Sequence, residues 1–88
     1  MIIVANVEIY TKATCPFCIR AKRLLDMKEV EYTEYEISGD EAKRAEMVER
    51  SGGGRTVPQI FIDDELVGGS DELFALERKG ELDAKLAA

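Results

Sequence analysis

The chain reads as an α/β fold, a mixed four-stranded sheet with helices on both faces, in the order β-α-β-α-β-β-α. Three observations predict it. Two strand-like runs flank a run with helical spacing near the N-terminus, which forces parallel pairing through a right-handed crossover. Two further strand-like runs are separated only by Asp63-Asp64, which makes them an antiparallel hairpin. Proline, glycine and capping residues punctuate the boundaries between these runs. At 88 residues with 45% hydrophobic residues, residues 1–88 read as one domain able to bury a core without disulfides or metal.

Taken in order, Val4 to Tyr10 reads as the first strand, with Ile3, Val7 and Ile9 apolar. Thr11-Lys12-Ala13-Thr14 follows as a loop. Pro16 falls where a first helical residue would sit, since it lacks an N–H and its φ is already helical. The helix runs to about Lys28, with Cys18, Ala21 and Leu25 on one face and Leu24 beside them. Tyr32 to Ile37 is the second strand, its two tyrosines falling on opposite faces. Ser38 and Glu41 have the spacing of a capping box for a second helix, through Ala42, Ala45, Met47 and Val48 to Arg50. Gly52-Gly53-Gly54 ends that helix. Val57 to Ile62 contains the third strand, starting after Pro58, and Leu66-Val67-Gly68 is the fourth. Ser70 caps a third helix containing Leu73, Phe74 and Leu76, which stops near Gly80, and Glu81 to Leu86 adds a short helical turn.

The net charge of −6 disfavours a nucleic-acid surface, which would be basic. No apolar stretch approaches a membrane span, and Met1 to Asn6 lacks the basic and apolar regions of a signal peptide. The expected setting is cytoplasmic and reducing, where a C-x-x-C is more often catalytic or metal-binding than structural.

The two cysteines, Cys15 and Cys18, stand three residues apart at a strand-to-helix junction. The reactive form of cysteine is the thiolate, and a helix N-terminus stabilises it. The amides of Phe17 and Cys18 can point at the Cys15 sulfur, and Lys12 can add positive charge from the preceding loop. Cys15 is therefore the expected nucleophile. Cys18, nearly one turn on and facing the sheet, stays a thiol until it resolves a mixed disulfide. A structural disulfide would close a very small loop and add little stability. Zinc normally takes four ligands, and the chain has two cysteines and no histidine. An iron–sulfur cluster shared across a dimer remains a rival.

Two further segments suit a thiol enzyme that grips a small peptide. A prolyl bond is trans by default, but a cis Val57-Pro58 bond would free the Val57 backbone to pair with an extended substrate. Gly68-Gly69-Ser70-Asp71 opens a helix, so the Ser70 and Asp71 amides can hold a carboxylate and Asp71 can accept from an ammonium.

Tyr10-Thr11-Lys12-Ala13-Thr14-Cys15-Pro16-Phe17-Cys18, Thr56-Val57-Pro58-Gln59-Ile60-Phe61-Ile62 and Gly68-Gly69-Ser70-Asp71-Glu72-Leu73 together resemble dithiol glutaredoxins of the short bacterial type. The resemblance covers nearly the whole chain. It implies a thioredoxin fold with sheet order 2-1-3-4 and a cis peptide before Pro58. The implied activity is glutathione-dependent thiol–disulfide exchange, with glutathione as co-substrate and no bound cofactor or metal. The implied catalytic pair is Cys15 and Cys18. Lys12, Phe17, Thr56, Val57, Pro58, Gly69, Ser70 and Asp71 would form the glutathione groove, and Arg55, placed beside it, could help hold a carboxylate. Partners by resemblance are glutathione and disulfide-bonded or glutathionylated proteins, ribonucleotide reductase among the candidates, with a monomeric enzyme. The alternatives are an electron donor reduced by a flavoprotein reductase and a glutathione-ligated iron–sulfur carrier dimer.

Some residues depart from the family pattern. The family usually has tyrosine where Phe17 stands, so a ring survives without its hydroxyl. The Gly52-Gly53-Gly54 run suggests one looser groove wall. Cys18 argues against the monothiol branch, and the absence of tryptophan argues against a thioredoxin.

Overall fold

The computed structural model describes residues 5–87. The expected strand residues Ile3 and Val4 lie outside that range. The elements are β1 (Val7–Thr11), α1 (Pro16–Met27), β2 (Tyr32–Glu36), α2 (Glu41–Arg50), β3 (Gln59–Ile62), β4 (Glu65–Gly68), α3 (Ser70–Arg78) and α4 (Leu82–Leu86). They build one mixed sheet of order β2-β1-β3-β4, the thioredoxin arrangement that the resemblance implies.

β1 is central and buried along its whole length. It pairs in parallel with β2, from Val7 opposite Tyr32 to Thr11 opposite Glu36. It pairs antiparallel with β3, from Val7 opposite Ile62 to Tyr10 opposite Gln59. β3 and β4 form the expected hairpin, with an irregularity between Ile60 and Phe61. Its turn residues Asp63 and Asp64 both have positive φ, 52° and 65°, a conformation aspartate tolerates better than most residues.

Period-two alternation divides the core between the two faces. Val7, Ile9, Ile60 and Ile62 pack against Ala21, Leu24 and Leu25 of α1, Leu73 of α3 and Leu82 and Leu86 of α4. On the opposite face, Tyr10, Ile37 and Phe61 pack with Met47 of α2. Tyr32 belongs to the first cluster and Tyr35 to the second, so the two tyrosines do fall on opposite faces. The α2 face also holds a polar group. Arg50 donates to both oxygens of Glu8, at 3.2 and 3.0 Å, and to the Tyr10 hydroxyl at 2.8 Å. Its guanidinium lies 4.1 Å from the Phe61 ring centre. Tyr35 donates its hydroxyl to Glu8 at 2.8 Å.

Several boundaries differ from the sequence reading, each for a local reason. Thr11 is strand rather than loop, because its carbonyl accepts from Ile37 N–H at 2.9 Å and keeps the parallel ladder going. Ala5 precedes the strand, since its N–H goes to the Leu86 carbonyl at 3.0 Å. β2 stops at Glu36, β4 starts at Glu65, and the last helix starts at Leu82. Asp40, not Ser38, caps α2: its carboxylate accepts from Lys43 N–H at 3.0 Å. Gly69, not Ser70, occupies the cap position of α3, and Ser70 is the first helical residue. There the Glu72 carboxylate reaches back to the Gly69 N–H at 2.7 Å. The triple glycine is not slack throughout. Ser51 Oγ accepts from Gly54 N–H at 2.8 Å and donates to the Gly54 carbonyl at 3.2 Å.

Candidate active site

Cys15 is the N-cap of α1, with extended backbone angles, and Pro16 takes the first helical position. A turn closes behind it, Cys15 N–H to Lys12 carbonyl at 3.2 Å, and the first helical bond follows, Ile19 N–H to Cys15 carbonyl at 3.2 Å. Cys15 is therefore held at the helix end, where unpaired N–H groups converge. Cys15 is partly exposed and Cys18 is buried; both are free thiols.

The environments drive the two sulfurs apart. Partial burial raises the Cys15 pKa, but the Cys18 amide, the Cys18 thiol, the Phe17 amide and the Lys12 charge together hold it below its ordinary 9.0. For Cys18, burial dominates and pushes the thiol up to about 11, with the neighbouring Cys15 adding to the rise. The opposite shifts favour the thiolate at Cys15 and the protonated thiol at Cys18.

The loop before β3 faces this pair. The Val57–Pro58 bond is cis. The Cys15 thiol donates to the Val57 carbonyl at 3.7 Å, so the two segments meet at the reactive sulfur. Beside them lies a hollow of about 300 Å³, lined by Phe17, Thr56, Val57, Pro58, Gly69, Ser70, Asp71 and Glu72. Phe17 is 53% exposed, an uncovered ring at the rim. A larger depression of about 650 Å³, lined by residues such as Asn6 and Tyr32, contains neither cysteine and is the wrong place for thiol chemistry.

At the far end of the hollow the first intrahelical bond of α3 is Leu73 N–H to Gly69 carbonyl, 3.1 Å. The amides of Ser70 and Asp71 precede it and have no helical acceptor. The Ser70 side chain is different: its hydroxyl is buried and has no hydrogen-bond partner among the described residues. Gly68 has φ +118°, and a Cβ there would come within 2.7 Å of a Glu72 oxygen.

Of the residues expected from sequence, Phe17, Thr56, Val57, Pro58, Gly69, Ser70 and Asp71 meet around one hollow, with Cys15 bonded to its wall. Lys12 is outside the lining and acts on Cys15 through its charge. Arg55 is exposed and is not brought to the hollow. Two residues were missed. Glu72 lines the hollow and pins Gly69; its place three residues after the cap was the available signal. Buried Gln59 donates from Nε2 to the Thr56 carbonyl at 3.0 Å, and a polar residue inside an apolar strand was the signal there.

Comparison with known proteins agrees with this geometry. Residues 7–67 match the family model for glutaredoxin. Glutaredoxin 3 of Escherichia coli strain K12 is 58% identical over 82 residues, which cover 93% of this chain and 98% of that protein. A probable glutaredoxin of Synechocystis is 55% identical over 83 residues, covering 94% of this chain and 76% of the relative. The solution structure of glutaredoxin from Brucella melitensis aligns with a TM-score of 0.82 at 50% identity, over 96% of this chain and 90% of that one. The crystal structure of a buckwheat glutaredoxin–glutathione complex aligns with a TM-score of 0.84 at 29% identity, over 93% and 76%. A helix-capping C-x-x-C, a cis-proline wall and a sheet of order 2-1-3-4 thus coincide with near full-length sequence identity, and the chain belongs to the glutaredoxin family.

Proposed function

We propose that Cys15 is the nucleophile and Cys18 the resolving thiol of a glutathione-dependent thiol–disulfide oxidoreductase. The observation that carries the assignment is the asymmetry of the two sulfurs: Cys15 is partly exposed with a lowered pKa, whereas Cys18 is buried with a raised one. The Cys15 thiolate attacks one sulfur of a substrate disulfide. A Cys15–substrate disulfide forms, the substrate bond breaks, and the leaving thiolate takes a proton from solvent. In the dithiol route Cys18 loses its proton and attacks Cys15 Sγ, which releases the substrate thiolate and leaves a Cys15–Cys18 disulfide. Two glutathiones then reduce that bond and leave as glutathione disulfide. In the monothiol route Cys15 carries glutathione, and a second glutathione thiolate removes it.

The hollow suits the glutathione moiety. Val57 presents backbone groups beside the reactive sulfur, Phe17, Thr56 and Pro58 supply walls, and Gly69 allows close approach. The Ser70 and Asp71 amides suit the γ-glutamyl carboxylate, with the Asp71 carboxylate for its ammonium. Lys12 can attract the glycine carboxylate. Residues 1–88 are read as one glutaredoxin domain, monomeric and cytoplasmic, acting on disulfide-bonded or glutathionylated proteins, with ribonucleotide reductase as one candidate. Among the described residues no helix is long and apolar enough to cross a membrane.

The test is glutathione-dependent reduction of a small mixed disulfide. Cys15→Ser should abolish activity, and Cys18→Ser should keep deglutathionylation while losing protein-disulfide reduction. Activity surviving in Cys15→Ser would overturn the assignment.

A further inference from the structure

The dithiol route requires Cys18 to give up a proton in a buried place, and the groove supplies nothing for that step. A second cluster lies beside it. Lys22 follows Cys18 by one helical turn on α1, so the two share a face. Helical side chains lean toward the N-terminus, which carries the Lys22 stem back over the Cys18 turn. Lys22 Nζ is held at 3.0 Å from Glu34 of β2, and the same Glu34 oxygen accepts from the Thr11 hydroxyl of β1 at 2.6 Å. Thr11 is buried and adjoins Lys12, whose backbone amide faces the Cys18 sulfur. Lysine is thus fixed by two strands on the turn that carries the resolving thiol.

We infer that Lys22, braced by Glu34 and Thr11, is a positioning residue that favours the Cys18 thiolate in the resolving step. The inference rests on the dithiol reading above. The groups facing Cys18 are Cys15 at the helix cap, the Lys12 amide after β1 and the Lys22 charge; Glu34 and Tyr32 of β2 act on Lys22. The Lys22 charge works in the same direction as the Lys12 amide at Cys18, against burial and the neighbouring Cys15. When Cys18 attacks Cys15 Sγ, its proton passes to solvent, the Cys15–Cys18 bond forms, and the substrate sulfur leaves as a thiolate. The Lys22 cation stabilises the sulfur anion during the interval between the first and second events.

The experiment follows resolution directly. Reduced enzyme is mixed rapidly with glutathione disulfide, which glutathionylates Cys15 and releases one glutathione, and release of the second glutathione from Cys15 is timed. Wild type must first form the Cys15–Cys18 disulfide; its failure would remove the dithiol reading itself, independently of Lys22. Given that bond, Lys22→Met should slow resolution about three- to tenfold at neutral pH, because it removes the cation and leaves the Glu34 carboxylate uncompensated beside it. Its pH–rate profile should move to higher pH, and Lys22→Arg should restore both. Lys22→Gln repeats the test should methionine disturb the fold. An unchanged resolving rate in the charge-removing variants would overturn the inference. So would an equal loss of glutathione turnover when Lys22→Met is placed in Cys18→Ser, where there is no resolving thiol to assist.

Discussion

Ser70→Ala should make the protein more stable without weakening its grip on glutathione. Ser70 is 5% exposed, and its hydroxyl is buried with no partner among the described residues. An unpaired buried hydroxyl costs roughly 1–3 kcal/mol in proteins. Alanine removes that cost, keeps the Cβ and suits a first helical turn. Against it stands only the packing of one oxygen atom, so the net gain should be about 1 kcal/mol, or roughly 4–8 °C in Tm for a domain of this size. The amides of Ser70 and Asp71 are untouched, so the Michaelis constant for a glutathione mixed disulfide should stay where it was. Asp71→Asn is the contrast: it removes the charged acceptor proposed for the γ-glutamyl ammonium, worth roughly 1.5–3 kcal/mol, and should raise that constant at least tenfold. Thermal melts and steady-state kinetics on the same preparations decide it. A lower Tm in Ser70→Ala would refute the orphan-hydroxyl argument. A Michaelis constant several-fold higher would show that the hydroxyl, not the backbone, meets the ligand.

The Cys15 alkylation rate with iodoacetamide should titrate with a midpoint below 9.0, and Lys12→Met should move that midpoint upward; a midpoint at or above 9.0 in wild type would remove the basis for its role as nucleophile. The bond from Arg50 holds Glu8 below its ordinary 4.5, against the opposing effect of burial. Its stabilisation is therefore complete above about pH 4.5 and is lost as pH falls through the lowered value, so acid melts should steepen there and flatten in Arg50→Met. At neutral pH the same variant leaves Glu8 largely buried without its cation and should cost about 2–4 kcal/mol in urea unfolding. Leu25, fully buried between α1 and the sheet, should cost about 2–5 kcal/mol as alanine while leaving the Cys15 midpoint unmoved.

The architecture was readable because most of its signals are local. Pro16, Asp63-Asp64 and Gly80 mark boundaries that the structure keeps. Alternation in β3 sends Ile60 and Ile62 to one face and Phe61 to the other. Caps were misread, because Ser38 and Asp40 both have the right chemistry and only the helix phase chooses between them. The Ser38 N–H is instead taken by the Glu36 carboxylate at 2.6 Å. The pair Cys15 and Cys18 was legible from its spacing at a strand-to-helix junction, whereas the cis bond at Pro58 required the family resemblance, since prolyl bonds default to trans. The partner of Gln59 and the Arg50–Glu8 pair were invisible for a different reason. Their partners are distant in sequence or lie in a loop with no pattern of its own.

Those unseen contacts account for how the Val57 wall is held. Arg50, anchored on Glu8 and Tyr10, fixes the last turn of α2 against β1. One residue later, Ser51 Oγ grips both the N–H and the carbonyl of Gly54. Gly52 and Gly53, with φ of 72° and 110°, make the reversal between them and meet no neighbouring atom with a hypothetical Cβ. Gly54 is glycine for the opposite reason: a Cβ there would stand 2.6 Å from Ser51 Oγ and 2.8 Å from Gln59 Nε2. Gln59 continues the chain of contacts by donating to the Thr56 carbonyl, immediately before Val57. The glycine run is thus a hinge-shaped but clamped connector, tied at one end to the α2 polar cluster and at the other to β3. The Val57 backbone stays open beside Cys15 because the side chains of Arg50, Ser51 and Gln59, rather than backbone-to-backbone bonds within the loop, carry the work of holding it still.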